Sequence, residues 1–142
     1  MKFSNLHHRI LYAEDNEDSR ELVSMMCQML GIEVVTAETA AGAWRLAQSE
    51  PFDLYLLDSR FPDGDGLDLC RRLRAFAPLA PILIYSGDAY QSDRQKGLAA
   101  GASDYLIKPY MADLAATVRQ NIEQTKRLVK RQQLPVTFAL AA

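Results

Sequence analysis

Residues 54–66, LYLLDSRFPDGDG, decide how the chain is read. An apolar run, with Leu54, Leu56 and Leu57 around Tyr55, stops at Asp58, and Pro62, Gly64 and Gly66 crowd in just beyond. Such a run fits a strand buried on both faces, as a central parallel strand is. Its exit is then marked by a carboxylate. Taking that charge out of water is costly unless something charged meets it there, so the rest of the chain must supply the partner.

Working outward, short apolar runs alternate with segments of helical spacing. RILYA (9–13) reads as a first strand. A helix follows from Asn16 or Asp18, with Glu21 available for a capping box; Leu22, Val23, Met26, Cys27 and Leu30 recur on one face until Gly31 ends it. IEVVTA is a second strand, and Ala43, Trp44 and Ala47 mark a weaker second helix. Beyond the opening stretch, Leu69, Cys70, Leu73 and Phe76 mark a third helix, closed off by Pro78. PILIYS is a fourth strand, followed by a polar segment (88–96) and a short helix ending at AAGA. SDYLIK is a fifth strand, and a last helix opens after Pro109 with Leu114, Val118, Ile122 and Val129 on one side.

Five strands alternating with five helices predict an α/β fold, a doubly wound five-stranded parallel sheet covered on both faces. Such sheets place their sites outside the carboxyl ends of the strands. At those ends stand Glu14 and Asp15, Asp58, Ser86 and Gly87, and Lys108 with Pro109; the second strand ends less informatively in Ala37, Glu38 and Thr39.

The chain has 142 residues, one domain's worth, 49% hydrophobic and 24% charged, with a formal net charge of -2. That balance gives no bulk attraction to nucleic acid. Cys27 and Cys70 lack metal-ligand spacing and read as small apolar side chains. The opening MKFSNLHHR lacks the apolar core of a signal peptide, and no run approaches the roughly 18 apolar residues of a membrane span. A cytoplasmic address with reduced thiols is expected, and His7 with His8 reads as a solvated pair.

Converging carboxylates repel; at an effective dielectric near 20 each close pair costs up to roughly 4 kcal/mol. A hard divalent cation with oxygen ligands relieves Glu14, Asp15 and Asp58 together, and Mg²⁺ takes one or two carboxylates plus waters and phosphate oxygens. Lys108 adds a point charge beside Asp58 and Ser86 a hydroxyl. A metal, an ammonium and a hydroxyl around a carboxylate can hold phosphoryl oxygens while the carboxylate attacks in line. Gly64 and Gly87 let a bulky dianion approach the backbone. Taken singly the residues have plainer readings: Glu14 and Asp15 as helix-start acids, Asp63 and Asp65 as turn and cap residues, Tyr105 as core. Their joint placement favours the site.

With Glu14–Asp15, Asp58 followed by Pro62, Asp65 and Gly66, then Ser86, and GASDYLIKPY (101–110), the chain resembles the receiver domain of two-component response regulators, a CheY-like, flavodoxin-like fold. The resemblance covers about residues 8–124, leaving 125–142 as a helix extension and apolar tail. It implies a phosphoryl group received by Asp58 from a sensor histidine kinase or histidine phosphotransfer protein, with Ser86 and Lys108 assisting. It implies Mg²⁺ on Asp15, Asp58 and the Arg60 backbone carbonyl, with Glu14 holding a metal-bound water. Phosphate would draw Ser86 inward, and Tyr105 would follow as the switch aromatic.

Two positions depart from the common pattern: Arg60 and Asp88 flank the mouth of the site. They are expected either to pair across it, hindering the hydrolytic water and tuning the lifetime of the aspartyl phosphate, or to stand as solvated charges. The function expected is a single-domain response regulator that signals through a downstream protein, without direct nucleic-acid or membrane binding, and not an enzyme with a separate turnover substrate. A receiver excised from a larger hybrid kinase or regulator, an unphosphorylated scaffold and, less favoured, an aspartyl-phosphate phosphatase are the alternatives. The extended helix and the apolar tail read as interaction features, compatible with a homodimer.

Overall fold

The computed structural model describes residues 7–109 and 113–132. In chain order it contains β1 (His8–Ala13), α1 (Glu17–Gln28), β2 (Ile32–Ala37), α2 (Ala40–Ser49), β3 (Leu54–Leu57), β4 (Arg60–Phe61), β5 (Gly64–Asp65), α3 (Gly66–Phe76), β6 (Ile82–Ser86), α4 (Gln91–Ala99), β7 (Asp104–Ile107) and α5 (Leu114–Gln132). The main sheet is parallel with strand order β2-β1-β3-β6-β7. This is the expected doubly wound five-stranded α/β fold. A two-stranded hairpin, β4–β5, is an addition that periodicity did not announce, because each of its strands is only two residues long.

The two-residue period of the strands separates two cores. Leu11, Ala13, Tyr55, Leu57, Ile82 and Ile84 face Ala43, Ala47, Leu69, Cys70 and Leu73. On the opposite face, Ile10, Tyr12, Leu54, Leu56, Leu83 and Tyr85 meet Val23, Cys27, Leu114, Val118 and Ile122. Both cysteines are buried free thiols, and burial pushes each up to about 11, so they serve as packing.

Strand order reverses between β1 and β3. The chain steps from β1 outward to β2, recrosses through α2, and enters β3 on the other side of β1. Ala13 therefore sits beside Leu57, Leu57 beside Ile84, and Ser86 beside Ile107. The residues that follow these strands share one edge, as the crossover rule requires.

Several local expectations change. The N-cap of α1 is Asn16, whose side chain accepts the Ser19 N–H; Glu21 takes no part, since a box from Asn16 would need position 19. Leu22 and Leu30 are exposed, and the helix buries the narrower stripe Val23–Cys27 with Met26 partly covered. Phe76 is also exposed, resting edge-on against Trp44 at 5.6 Å. The polar segment after β6 is helical from Gln91, because its outer face is solvated and only Gly97 is buried within it. His8 is buried inside β1 rather than solvated, whereas His7 is exposed and bonds Glu33 at 2.9 Å.

The last helix begins at Leu114 among the described residues and continues unbroken through position 124 to Gln132. At 19 residues it is about 28 Å long, while the six residues of β1 span about 20 Å. Its far part is tied to the body by the Lys126–Asp53 ion pair at 3.2 Å. The apolar tail beyond it lies outside the described residues. No helix among the described residues is long and apolar enough to cross a membrane.

Candidate functional site

Backbone pairing sets the site. Asp58 N–H donates to Ala13 O at 3.0 Å, Glu14 N–H to Ala37 O at 2.9 Å and Lys108 N–H to Ser86 O at 2.8 Å. Each is the first residue past its strand and is held to the neighbouring strand's end. Glu14, Asp15 and Asp58 thereby bring one carboxylate oxygen apiece within 4.8 Å of one another. Lys108 Nζ donates to Glu14 Oε1 at 2.6 Å and reaches Asp58 Oδ2 at 3.5 Å. Burial alone would lower the Lys108 ammonium, but the Glu14 hydrogen bond and the charges of Asp58 and Glu14 outweigh it and raise its pKa.

The three acids are not equivalent. Glu14 is 1% exposed and fully partnered: Tyr12 donates its hydroxyl to Oε1 at 3.2 Å and Asn16 its N–H to Oε2 at 3.2 Å. Asp15 is exposed, and the Asp58 side chain is 13% exposed at the floor of the edge. Asp58 Oδ1 accepts the Ser59 N–H at 2.7 Å, which fixes the carboxylate plane. Glu14 thus holds Lys108, Asp15 is exposed, and Asp58 divides its oxygens between the Ser59 N–H and the more distant Lys108 ammonium. The donor set suits a hard cation such as Mg²⁺: oxygen only, with surplus negative charge.

On the other flank Ser86 is buried, accepting the Asp88 N–H at 3.0 Å and lying 2.5 Å from the Ser59 hydroxyl. Arg60 and Asp88 do pair: Nε donates to Oδ2 at 3.1 Å and Nη2 to Oδ1 at 2.9 Å, a two-pronged contact, although the Arg60 side chain is 80% exposed. The hydrogen bonds to Asp88 raise the Arg60 pKa further. Tyr105 is buried, with its hydroxyl on Asp88 O at 2.7 Å. Burial raises its phenol, with the Ser86 hydrogen bond working against that rise. The aromatic ring already occupies an inward seat. Every expected site residue therefore falls on this edge; for Arg60 it is the side chain whose partner is visible, while its carbonyl as a ligand rests on the resemblance.

The hairpin after β3 shapes the approach to Asp58. Gly66 lies so close to it that a Cβ would sit 2.1 Å from Asp58 O and 2.8 Å from Ser59 Cα, so no other residue fits without moving Asp58. Gly64 and Gly87, by contrast, face open space. Asp65 caps α3 through the Leu67 N–H. Asp63 caps a different helix: its oxygens accept the N–H groups of Ala40 and Ala41, both at 2.9 Å, holding its carboxyl below the usual range.

The response regulator receiver domain model matches residues 10–119. The chain belongs to that family. Among curated relatives, the transcriptional regulatory protein KdpE of Mycobacterium tuberculosis is 35% identical over 117 residues, covering 79% of this chain and 51% of that one. A CheY-like receiver domain protein from Methanospirillum hungatei has TM-score 0.80 at 25% identity, over 85% of this chain and 98% of that one. NtrX from Brucella abortus has TM-score 0.83 at 26% identity, over 91% of this chain and only 30% of its own. The receiver domain spans about half the length of the curated relatives it matches.

Sequence reasoning missed Ser59 and Gly97. A serine directly after Asp58 carries no pattern of its own. Gly97 lies just before the AAGA stretch that reads as a helix end, yet its missing Cβ is what admits Tyr105: a Cβ there would be 2.7 Å from the ring.

Proposed function

We propose that this receiver domain accepts a phosphoryl group on Asp58 from the phosphohistidine of a sensor histidine kinase or histidine phosphotransfer protein. The reading is carried by one observation: two further acids and Lys108 meet Asp58 at the strand crossover. An Asp58 oxygen attacks phosphorus in line; the new P–O bond forms as the P–N bond breaks, and its electron pair leaves with the imidazole. Lys108 meets one phosphoryl oxygen, and the Ser86 hydroxyl donates to another. Asp15 and Asp58 would hold Mg²⁺, with the Arg60 carbonyl and Glu14 alongside, and the ion would neutralise charge on the transferring group.

The output follows from Ser86 and Tyr105. Ser86 drawn onto a phosphoryl oxygen tugs on the loop whose carbonyl holds the Tyr105 hydroxyl, so phosphorylation biases the seat of the ring and the surface of α4 and β7 around it. The Arg60–Asp88 pair spans the mouth of the site, which supports a role in limiting water attack and thus in setting the lifetime of the aspartyl phosphate. The domain is a phosphoacceptor rather than a turnover enzyme, acting in the cytoplasm.

In its single-domain form this proposal has a partner protein as the output, including a second copy of the chain. A second reading is favoured by the relatives, which are about twice as long and include a named transcriptional regulator: there the output is DNA binding carried elsewhere in a longer polypeptide. The mass of the mature polypeptide in its source cells separates the two. The phosphoacceptor reading itself is tested with Mg²⁺ and a small acyl phosphate. A phosphate-sized mass gain that disappears in Asp58→Asn supports it; no gain in the wild-type chain refutes it, and rapid multiple turnover points to a phosphatase.

A further inference from the structure

The hydroxyl of Ser59 bridges two groups at once, and proton counting fixes the direction of that bridge. Its Oγ lies 3.1 Å from Asp88 Oδ2 and 2.5 Å from Ser86 Oγ. An ionised carboxylate only accepts, so Ser59 must give Asp88 its single proton. The bond between the two serines must then be donated by Ser86. Ser86 Oγ also accepts the Asp88 N–H at 3.0 Å, and of its contacts the one with Ser59, at 2.5 Å, is the closest. The chain of donors runs Ser86 to Ser59 to Asp88, and it ends on a carboxylate that Arg60 grips with two N–H groups. A charged terminal acceptor strengthens each bond behind it.

We propose that Ser59 is a positioning residue that holds the Ser86 hydroxyl proton in the unphosphorylated protein, so that a phosphoryl group on Asp58 must compete for it. This rests on the phosphoacceptor reading of Asp58 and adds to it a restraint on the resting state. Ser86 has one proton, and a phosphoryl oxygen can receive it only when the bond to Ser59 is given up. Ser59 keeps its bond to Asp88 throughout, so the latch resets when the phosphoryl group leaves.

The test uses the full chain with Mg²⁺ and beryllofluoride, the phosphoryl mimic with which a related receiver domain, DrrB, is described as activated. Binding is titrated calorimetrically for the wild type, Ser59→Ala and Ser59→Thr. Removing one competing hydrogen bond of ordinary net strength makes Ser59→Ala bind about fivefold tighter, while Ser59→Thr, which keeps the hydroxyl, stays at the wild-type affinity. In a Ser86→Ala background the Ser59→Ala change has no effect, because there is no proton left to compete for. Thermal unfolding near that of the wild type shows that both variants fold. Equal or weaker binding by Ser59→Ala, or the same gain in the Ser86→Ala background, overturns the latch while leaving the acceptor intact. Failure of the wild-type chain to bind beryllofluoride overturns the latch together with the acceptor reading.

Discussion

Gly97→Ala inverts an ordinary expectation about helices. Alanine in place of glycine inside a helix normally stabilises it, by about 1 kcal/mol. Here the added methyl carbon would lie 2.7 Å from Tyr105 Cδ2 and 3.0 Å from Ile84 Cδ1. The isoleucine tip can rotate away, but the ring is held by its hydroxyl on Asp88 O at 2.7 Å and by burial on the sheet. Seating both groups costs what overpacking costs, about 1–3 kcal/mol, which exceeds the propensity gain at most of that range. The variant is therefore less stable by up to about 2 kcal/mol, or escapes the cost by expelling the ring. Urea unfolding measures the first, and loss of hydrogen-exchange protection around β7 reports the second. The decisive comparison is the Tyr105→Ala background, where the obstacle is gone and Gly97→Ala becomes stabilising by up to about 1 kcal/mol. If Gly97→Ala stabilises the wild-type chain, or costs the same with and without the ring, Gly97 does not make the seat for Tyr105.

Three further outcomes follow from the same geometry. Lys108→Met leaves Glu14 buried and unpaired, which removes about 1–3 kcal/mol in urea unfolding, below the full cost of a broken buried pair because Lys108 is partly open to solvent. Since the folded-state pKa of Lys108 is raised, its contribution is complete below the unfolded value near 10.4 and is lost as pH rises through the folded value; the alkaline decline should shrink in the variant. His8 behaves oppositely: burial first, then the charge of Lys126, lower its pKa against Asp53 and Glu123, and its Nδ1 finds no hydrogen-bond partner among the described residues. The unfolded chain therefore binds the extra proton, stability falls as pH drops below about 6.5 toward the folded value, and His8→Phe flattens that acid decline in pH-dependent thermal unfolding. Arg60→Ala frees Asp88 and opens the mouth of the site; an unchanged rate of loss of the aspartyl phosphate would remove the shielding role proposed for the pair.

The acidic pair, Asp58, Ser86 and Lys108 were legible because a parallel strand advertises its own end: the apolar run stops, and the next residue lies at the sheet edge whatever the rest of the chain does. Tyr105 was legible only through resemblance, since an aromatic residue in a buried strand is equally well core. Helix α4 was half legible, its polar first turns carrying almost no apolar stripe to read. His8 was misread because the first strand begins one residue earlier than its apolar run, and an imidazole at that register is buried under α5, near Glu123.

What the one-dimensional order determined is the set of local states and the inventory of charges at strand ends, because strand and helix periodicity act between near neighbours. What only the folded chain decided is who meets whom across it. Asp63 caps a helix that begins more than twenty residues before it, Glu14 rather than Asp15 takes the inner place beside Lys108, and Ser59 bridges Ser86 and Asp88. Those pairings depend on distances of a few ångströms between segments brought together by the crossover, and hydrogen bonds and ion pairs at that range are decided by packing, which no local pattern encodes.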